Sequence, residues 1–344
     1  MTRDAPLPPR AAGGSFEAIG QPVLRREDRR FLMGQGRYVS DVPIDSALSM
    51  VVVRSPHAHA RIDGIDLDRA RRLPGVIGAF RLADLPELRG ALPPPVVPAV
   101  PVKPYRQSAL ADGVARFVGE PVVAVVADDP YRAADAAAAV RVAYEPLPAA
   151  IDPVAAADTP AVFVHADWST NIAATVSLET GELDAALRRA HLVVTRRIRC
   201  GRVTALPMEP RAVLARWDAV TASLHVWSST QMPYGVRQRV AEALGLEPQV
   251  VRVTAPDVGG GFGTKGPVYP EELIVATLAR RLGRPVRWTD TRQDSFVSTT
   301  HAGDQLHDVT LALGRDGQIL ALADDFLIDA GAYLPRGAVA RILG

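Results

Sequence analysis

Cysteine is nearly absent from this chain: Cys200 is the only one in 344 residues. One thiol cannot close an internal disulfide, and alone it cannot hold a zinc ion or an iron–sulfur cluster. The expectation is a reducing compartment, the cytoplasm, with Cys200 as an inert thiol buried in a strand. Lysine is almost as scarce. Only Lys103 and Lys265 occur, and the other basic residues are arginines scattered along the chain. An excess charge of one sign is also lacking, since 39 Lys plus Arg stand against 38 Asp plus Glu. That balance removes the electrostatic reason to expect nucleic acid or an anionic membrane as a partner. No apolar run approaches the roughly 20 residues of a membrane span; the longest, around Val122 to Ala127, has the length of a strand. The opening MTRDAPLPPRAAGGSF has no apolar h-region, so no secretory signal is expected. His57, His59, His301 and His307 stand at spacings that do not suggest a metal site, and no Gly-x-Ser-x-Gly nucleophile elbow is found.

What is present reads as a soluble α/β protein. Apolar residues make up 48% and charged residues 22%, the composition of an ordinary globular chain, and the length suits two domains. Residues 1–18, rich in Pro, Ala and Gly, are expected to be a disordered arm. Strand and helix signals then alternate to about residue 148. They include strands at ALSMVVVRS and VIGAF, a buried strand at GEPVVAVVA, and a helix opened by Asp129 as N-cap with Pro130 at its first position. Six prolines in GALPPPVVPAVPVKP (90–104) forbid helix and central strand there, which predicts a long surface strap. An Ala/Pro-rich linker is expected over 149–168, and the second domain over 169–344. Its predicted elements include a hairpin around Asp218, a helix ending at Gly245, a helix from Pro270 to Leu282 ended by Gly283, and a hairpin around Arg315-Asp316-Gly317. The apolar ending AVARILG suggests a chain cut inside a fold, with an exposed apolar surface near Ile328 to Leu343.

The most informative segment is DVGGGFGTKG, residues 257–266. Five glycines in ten residues let the backbone turn sharply and offer its N–H groups to an anion or an oxo group. A P-loop is excluded, because Thr264 stands directly before Lys265 instead of following it. Gly261 to Gly266 does fit G-x-G-x-x-G, with a strand before, a helix after and Asp290 at the end of the next strand. A dinucleotide-binding dehydrogenase is therefore a live alternative, although Pro267 separates the third glycine from the helix. A plain tight turn is the ligand-free reading.

Four segments, in order, resemble the molybdopterin-binding large subunits of the xanthine dehydrogenase, aldehyde oxidase and aerobic carbon monoxide dehydrogenase family. Gly20 to Asp41 with VRSPHAHARI and LPGV resembles the opening hammerhead α/β domain. Pro207-Met208-Glu209-Pro210-Arg211 resembles the M-E-P-R strand, Ser229-Thr230-Gln231 the S-T-Q segment, and GGGFGTK the glycine loop. The resemblance implies a hammerhead-like α/β domain over 19–148, followed by the first part of a molybdopterin-binding domain. It implies oxidative hydroxylation of an aldehyde, an N-heterocycle or a similar small molecule. The cofactor would be molybdenum–molybdopterin of the dinucleotide type, with electrons passing to an Fe–S small subunit and an FAD medium subunit.

By the same resemblance, Gln231 would donate an amide hydrogen bond to a molybdenum ligand, and the backbone of Gly260, Gly261, Phe262 and Gly263 would line the other side. Phe262 is otherwise a core anchor for the loop. Lys265 would meet a phosphate or be a solvated lysine, and Glu209 would pair structurally with Arg211 or another arginine. No catalytic residue is assigned within the chain, because the family's general-base glutamate lies in a late G-x-G-E segment that these 344 residues lack. The isolated chain is therefore expected to be inactive. Three forms stay open: half of a split large subunit completed by a separate chain, an inert truncated fragment, or a docking module.

Overall fold

The computed structural model describes residues 20, 22–96, 100–158 and 162–334. The expected N-terminal arm and the apolar ending lie outside the described residues. The described residues up to Arg37 and those from Tyr38 onward form two units. The first unit contains a short helix, α1 (Asp28–Leu32), preceded by an Arg25–Asp28 ion pair.

The second unit is mixed α/β, as expected. Its elements run β1 (Leu48–Arg54), β2 (Ala60–Asp66), α2 (Asp68–Arg71), β3 (Val76–Phe80), β4 (Val114–Ala115), β5 (Pro121–Ala127), α3 (Pro130–Ala139) and β6 (Arg141–Pro146). The chain continues with α4 (Pro153–Asp158), α5 (Leu183–Arg189), β7 (Leu192–Cys200), β8 (Ala212–Asp218), β9 (Ser223–Ser228), α6 (Pro233–Leu244), β10 (Val251–Thr254) and α7 (Pro270–Leu282). It closes with β11 (Val286–Thr289), α8 (Arg292–Ser298), β12 (Gln305–Leu313) and β13 (Ile319–Ile328).

Local chemistry explains most of these limits. Asp129 accepts from the N–H groups of Tyr131 and Arg132, and Pro130 fills the first position of α3. Gly245 and Gly283 stand at φ +59° and +60°, so each ends its helix in the left-handed conformation that a side chain resists. α8 was not foreseen, although Thr291 and Asp294 cap it reciprocally, Thr291 Oγ1 accepting from the Asp294 amide at 3.0 Å. Nor was α4, which lies within the expected linker.

The main sheet has seven strands in the order β10-β9-β8-β11-β1-β5-β3. It crosses the sequence division at about residue 148. β1 pairs in parallel with β11, Leu48 opposite Val286 and Met50 opposite Trp288. The core is shared in the same way: Leu48, Met50 and Val126 belong to one buried cluster with Val213, Val226, Ile274 and Val286. β5 is buried along its whole length, which explains its continuous apolar run, and α7 is buried from Pro270 to Ala279, its Glu271, Glu272 and Thr277 included. The proline-rich strap is anchored at both ends: the buried Leu92 donates its N–H to the Gln107 carbonyl at 3.0 Å, and Lys103 donates its N–H to the Ala173 carbonyl at 2.8 Å.

Two smaller sheets complete the unit. β4-β2-β6 lies in the first half, and β13-β12-β7 in the second. β7 is an edge strand with almost no buried residue, so Cys200 at its end is exposed. This corrects the expectation of a buried thiol: a strand covers its side chains only where another layer packs on it. Leu192, Val193, Ile198, Ile319 and Leu322 are also exposed on this sheet. In contrast, 332–334 are held in place. The Tyr105 hydroxyl donates to the Leu334 carbonyl at 2.9 Å, His165 Nε2 meets the Ala332 carbonyl at 2.8 Å, and the Tyr333 hydroxyl donates to Glu120 at 3.2 Å. An exposed apolar surface is present on the three-stranded sheet; of the expected surface near Ile328 to Leu343, residues 335–343 lie outside the described residues.

Candidate cofactor loop

The glycine loop leaves β10 at the edge of the main sheet and reaches α7 only at Pro270. Two other segments hold it, the turn after β9 (229–232) and the stretch before β8 (207–211). Gly259 and Glu209 exchange hydrogen bonds: the Gly259 amide donates to Glu209 Oε2 at 2.7 Å, and the Glu209 amide donates to the Gly259 carbonyl at 3.2 Å. The Gln231 amide donates to the Lys265 carbonyl at 2.9 Å, and Gln231 Oε1 accepts the Gly263 amide at 3.2 Å. Three of the four segments that carried the resemblance therefore meet at one place.

Close approach explains the glycines. A methyl group at Gly259 would lie 2.6 Å from Glu209 Cβ, and one at Gly261 would lie 2.6 Å from Gln231 Cδ. Gly260 and Gly263 turn the chain at φ +97° and +80°. Phe262 also has a positive φ, +49°, with its side chain 75% exposed. It is not the core anchor expected from its apolar character; the anchoring is done by the backbone and by Lys265.

The arrangement offers a defined set of donors. Because Gln231 Oε1 accepts an N–H, the Nε2 of this exposed side chain remains as the donor end of the amide. Among the described residues, the N–H groups of Gly260, Gly261 and Phe262 meet no acceptor. Successive amides in such a turn form a concavity suited to an anionic or oxo group, so these residues fit the implied cofactor.

Lys265 is neither solvated nor free to reach a phosphate. It is 2% exposed, and its ammonium donates to Glu209 Oε2 at 2.7 Å. Burial pulls the ammonium below the usual lysine range, while the hydrogen bond and charge of Glu209 oppose that pull. Glu209 accordingly pairs with Lys265, and the expected partner Arg211 is used elsewhere. Arg211 is buried between Glu271 Oε2 at 3.0 Å and Asp290 Oδ2 at 3.5 Å, with its guanidinium 3.9 Å from the centre of the Tyr269 ring. The Tyr269 hydroxyl donates to the Thr264 carbonyl, linking this charged layer to the loop.

The dinucleotide reading fails on topology and on the occupancy of the helix start. β11, which follows α7, is separated from β10 by β9 and β8, so the two strands are not the adjacent pair of a nucleotide-binding βαβ unit. The start of α7 is also filled by its own carboxylates: Glu272 Oε2 accepts the Tyr269 amide at 2.6 Å, and Glu271 is engaged by Arg54 and Arg211. A pyrophosphate there would find the Tyr269 amide and both arginines already engaged.

Burial pushes the Glu272 carboxyl up to about 7, although the Tyr269 amide and Ser228 hydroxyl oppose it. Burial likewise pushes Glu120 up to about 7 against the Arg116 amide and charge. A raised carboxyl pKa favours the fold most below its unfolded value of 4.5, and that advantage is lost as pH rises through about 7. Stability is therefore expected to fall across this window, by on the order of 1–3 kcal/mol per group. Urea titrations at stepped pH should show a shallower fall in Glu272→Gln than in the parent. An unchanged slope would remove Glu272 as a source.

Comparisons with known proteins match both halves of the chain. Residues 33–148 match the aldehyde oxidase and xanthine dehydrogenase a/b hammerhead domain, and residues 164–342 match the molybdopterin cofactor-binding domain. The 6-hydroxypseudooxynicotine dehydrogenase complex subunit gamma of Paenarthrobacter nicotinovorans is 36% identical over 328 residues, covering 92% of this chain and 40% of that protein. The carbon monoxide dehydrogenase large chain of Afipia carboxidovorans is 35% identical over 331 residues, with coverages of 92% and 40%. The crystal structure of quinoline 2-oxidoreductase from Pseudomonas putida 86 superposes with a TM-score of 0.84 at 41% identity, over 90% of this chain and 39% of that one. The chain thus spans about 40% of the length of the curated relatives it matches. With both family domains in order and the glycine loop, Gln231 turn and Met208-Glu209-Pro210 segment assembled at one place, the chain belongs to the molybdopterin-dependent oxidoreductases of the aldehyde oxidase and xanthine dehydrogenase family.

Proposed function

We propose that this chain supplies one wall of the molybdenum–molybdopterin site in a hydroxylase that oxidises a small molecule. The observation that carries the reading is the row of loop N–H groups at Gly260, Gly261 and Phe262 beside the donor end of Gln231. When bound, the cofactor supplies the two-electron oxidation at the substrate carbon. This chain's residues hold and orient it. Gln231 donates its amide to a ligand of the metal, and the loop backbone from Gly260 to Gly263 closes the opposite side. The general base and the remaining cofactor contacts would come from sequence outside these 344 residues.

We read residues 19–148 as the hammerhead-like domain and the chain from 169 as the start of the cofactor domain. The substrate class favoured is an N-heterocycle, because quinoline 2-oxidoreductase combines 41% identity with a TM-score of 0.84. Fe–S and flavin partners follow from the same reading, and one relative is itself named as a subunit of a dehydrogenase complex. Among the described residues no helix is long and apolar enough to cross a membrane.

The test is the molybdenum and pterin content per chain of protein isolated gently from its own cells. Near-stoichiometric metal and pterin are expected, together with whatever chains complete the site. Folded protein that is isolated with its partners and carries neither would overturn the proposal.

A further inference from the structure

We infer that Lys265 and Glu209 form a buried staple that sets the shape of the cofactor loop, which makes them positioning residues for the bound group. The inference rests on the reading of that loop given above.

The two residues join the two ends of the loop to the Gln231 turn. Glu209 Oε2 accepts from both the Gly259 amide and the Lys265 ammonium, each at 2.7 Å, so one oxygen ties the start of the loop to its end. The Lys265 carbonyl accepts the Gln231 amide at 2.9 Å and the Thr230 hydroxyl at 3.3 Å. Lys265 therefore grips the Gln231 turn with its backbone and the Glu209 segment with its side chain. Glu209 is held in turn by its neighbour: Arg292 of α8 donates to the Met208 carbonyl at 3.1 Å.

The burial makes this pair more than a surface contact. The Lys265 side chain is 1% exposed and that of Glu209 12%. Exposed ion pairs contribute little because water screens them, whereas removing one partner of a buried pair strands the other charge. One of only two lysines in the chain is thus spent beneath the glycine loop, where the ammonium needs a fixed acceptor. Glu209 Oε1 is itself buried without a hydrogen-bond partner in the structure. The carboxylate is therefore held on one side only, by Lys265 and Gly259. Losing the lysine would leave it free to leave its site and release the Gly259 amide. Partners that touch a metal's ligands directly typically change metal affinity by roughly 10–100-fold, and a pair acting one step further back is expected toward the lower end of that range.

The test compares Lys265→Met, Lys265→Arg and the parent in the assembled protein, by two readouts. Amide hydrogen exchange at 259–264 reads the loop, and molybdenum content reads the bound group. Lys265→Met should speed exchange at the loop on the order of tenfold or more while β8 and α7 keep theirs, and should lose metal. Lys265→Arg, which keeps the charge, should restore much of both. Should Lys265→Met fail to accumulate, the paired Lys265→Met, Glu209→Gln variant removes both charges and leaves neither stranded, and the same two losses are expected of it. Exchange unchanged in Lys265→Met would overturn the staple. Metal present in the parent and undiminished in a loosened variant would overturn the positioning role alone. Metal absent from the parent would instead sink the cofactor reading and the positioning role with it.

Discussion

Replacing Arg211 with methionine is expected to cost roughly 3–5 kcal/mol of folding stability, the largest single effect in the chain. Removing the cation from a buried group of charges leaves its carboxylates without compensation. Arg211 faces Glu271 at 3.0 Å and Asp290 at 3.5 Å, and it also covers the Tyr269 ring. Arg54 still reaches Glu271 at 2.7 Å, so one carboxylate keeps a partner and Asp290 loses its own. The pH dependence gives a second signature. Burial alone would raise the Glu271 carboxyl, but Arg211 and then Arg54 hold it down to about 2. A depressed carboxyl pKa contributes stability above its unfolded value of 4.5, and this is lost as pH falls toward 2. Without Arg211 the folded pKa rises, so part of this contribution should be missing already at neutral pH and acid unfolding should begin earlier. Urea unfolding at neutral and acid pH measures both effects. Lysine at this position should recover only part of the loss, because its point charge cannot span two acceptors as the guanidinium fork does. A loss below about 1 kcal/mol would mean that the network is not holding the base of α7 together.

The second large effect is expected on the site with the fold left intact. Gly261 does not occupy the left-handed region, so alanine there meets no backbone strain. Its methyl would instead lie 2.6 Å from Cδ and 2.7 Å from Oε1 of Gln231. Gln231 is exposed and can swing away, so stability should change by less than about 1 kcal/mol. The displaced amide, however, would no longer accept from Gly263 or present its donor end to the cofactor. Retention of the metal should fall roughly 10–100-fold, the range typical for lost orienting partners. Alanine at both 261 and 231 makes room for the methyl, so the double variant should behave like Gln231→Ala alone, a strongly non-additive result. Metal content alongside thermal unfolding measures all three variants. Full metal retention in Gly261→Ala would remove Gln231 from the site.

Much of the fold was legible because local chemistry dictated it. α7 begins at Pro270 and ends before Gly283 as the sequence implied, since a first-turn proline and a left-handed glycine act within a few residues. The β8–β9 hairpin around Asp218 and the β12–β13 hairpin followed for the same reason. The pairing of β1 with β11 was not legible, because Leu48 and Val286 carry no local sign of each other. That one pairing turns two apparent domains into a single sheet. The site shows the same division. Gln231 and the glycine loop stood out by motif, and they do meet. The Glu209–Lys265 pair did not, since a charged residue is ordinarily assigned to solvent and nothing in spacing links positions 56 residues apart. The scarcity of lysine was the available clue: one of two falls within the most constrained loop of the chain.

Residues 229–232 and 257–266 are expected to face a bound molybdenum cofactor. The most direct measurement is amide hydrogen exchange on the assembled protein with its cofactor and after the cofactor is stripped, with NAD added to the stripped form as a control. Loading is expected to slow exchange at those two segments, and NAD to slow neither. Protection that falls elsewhere, such as on the walls of the cavity of about 350 Å³ between Tyr105, Phe117 and Tyr333, or protection of the loop by NAD, would contradict that expectation.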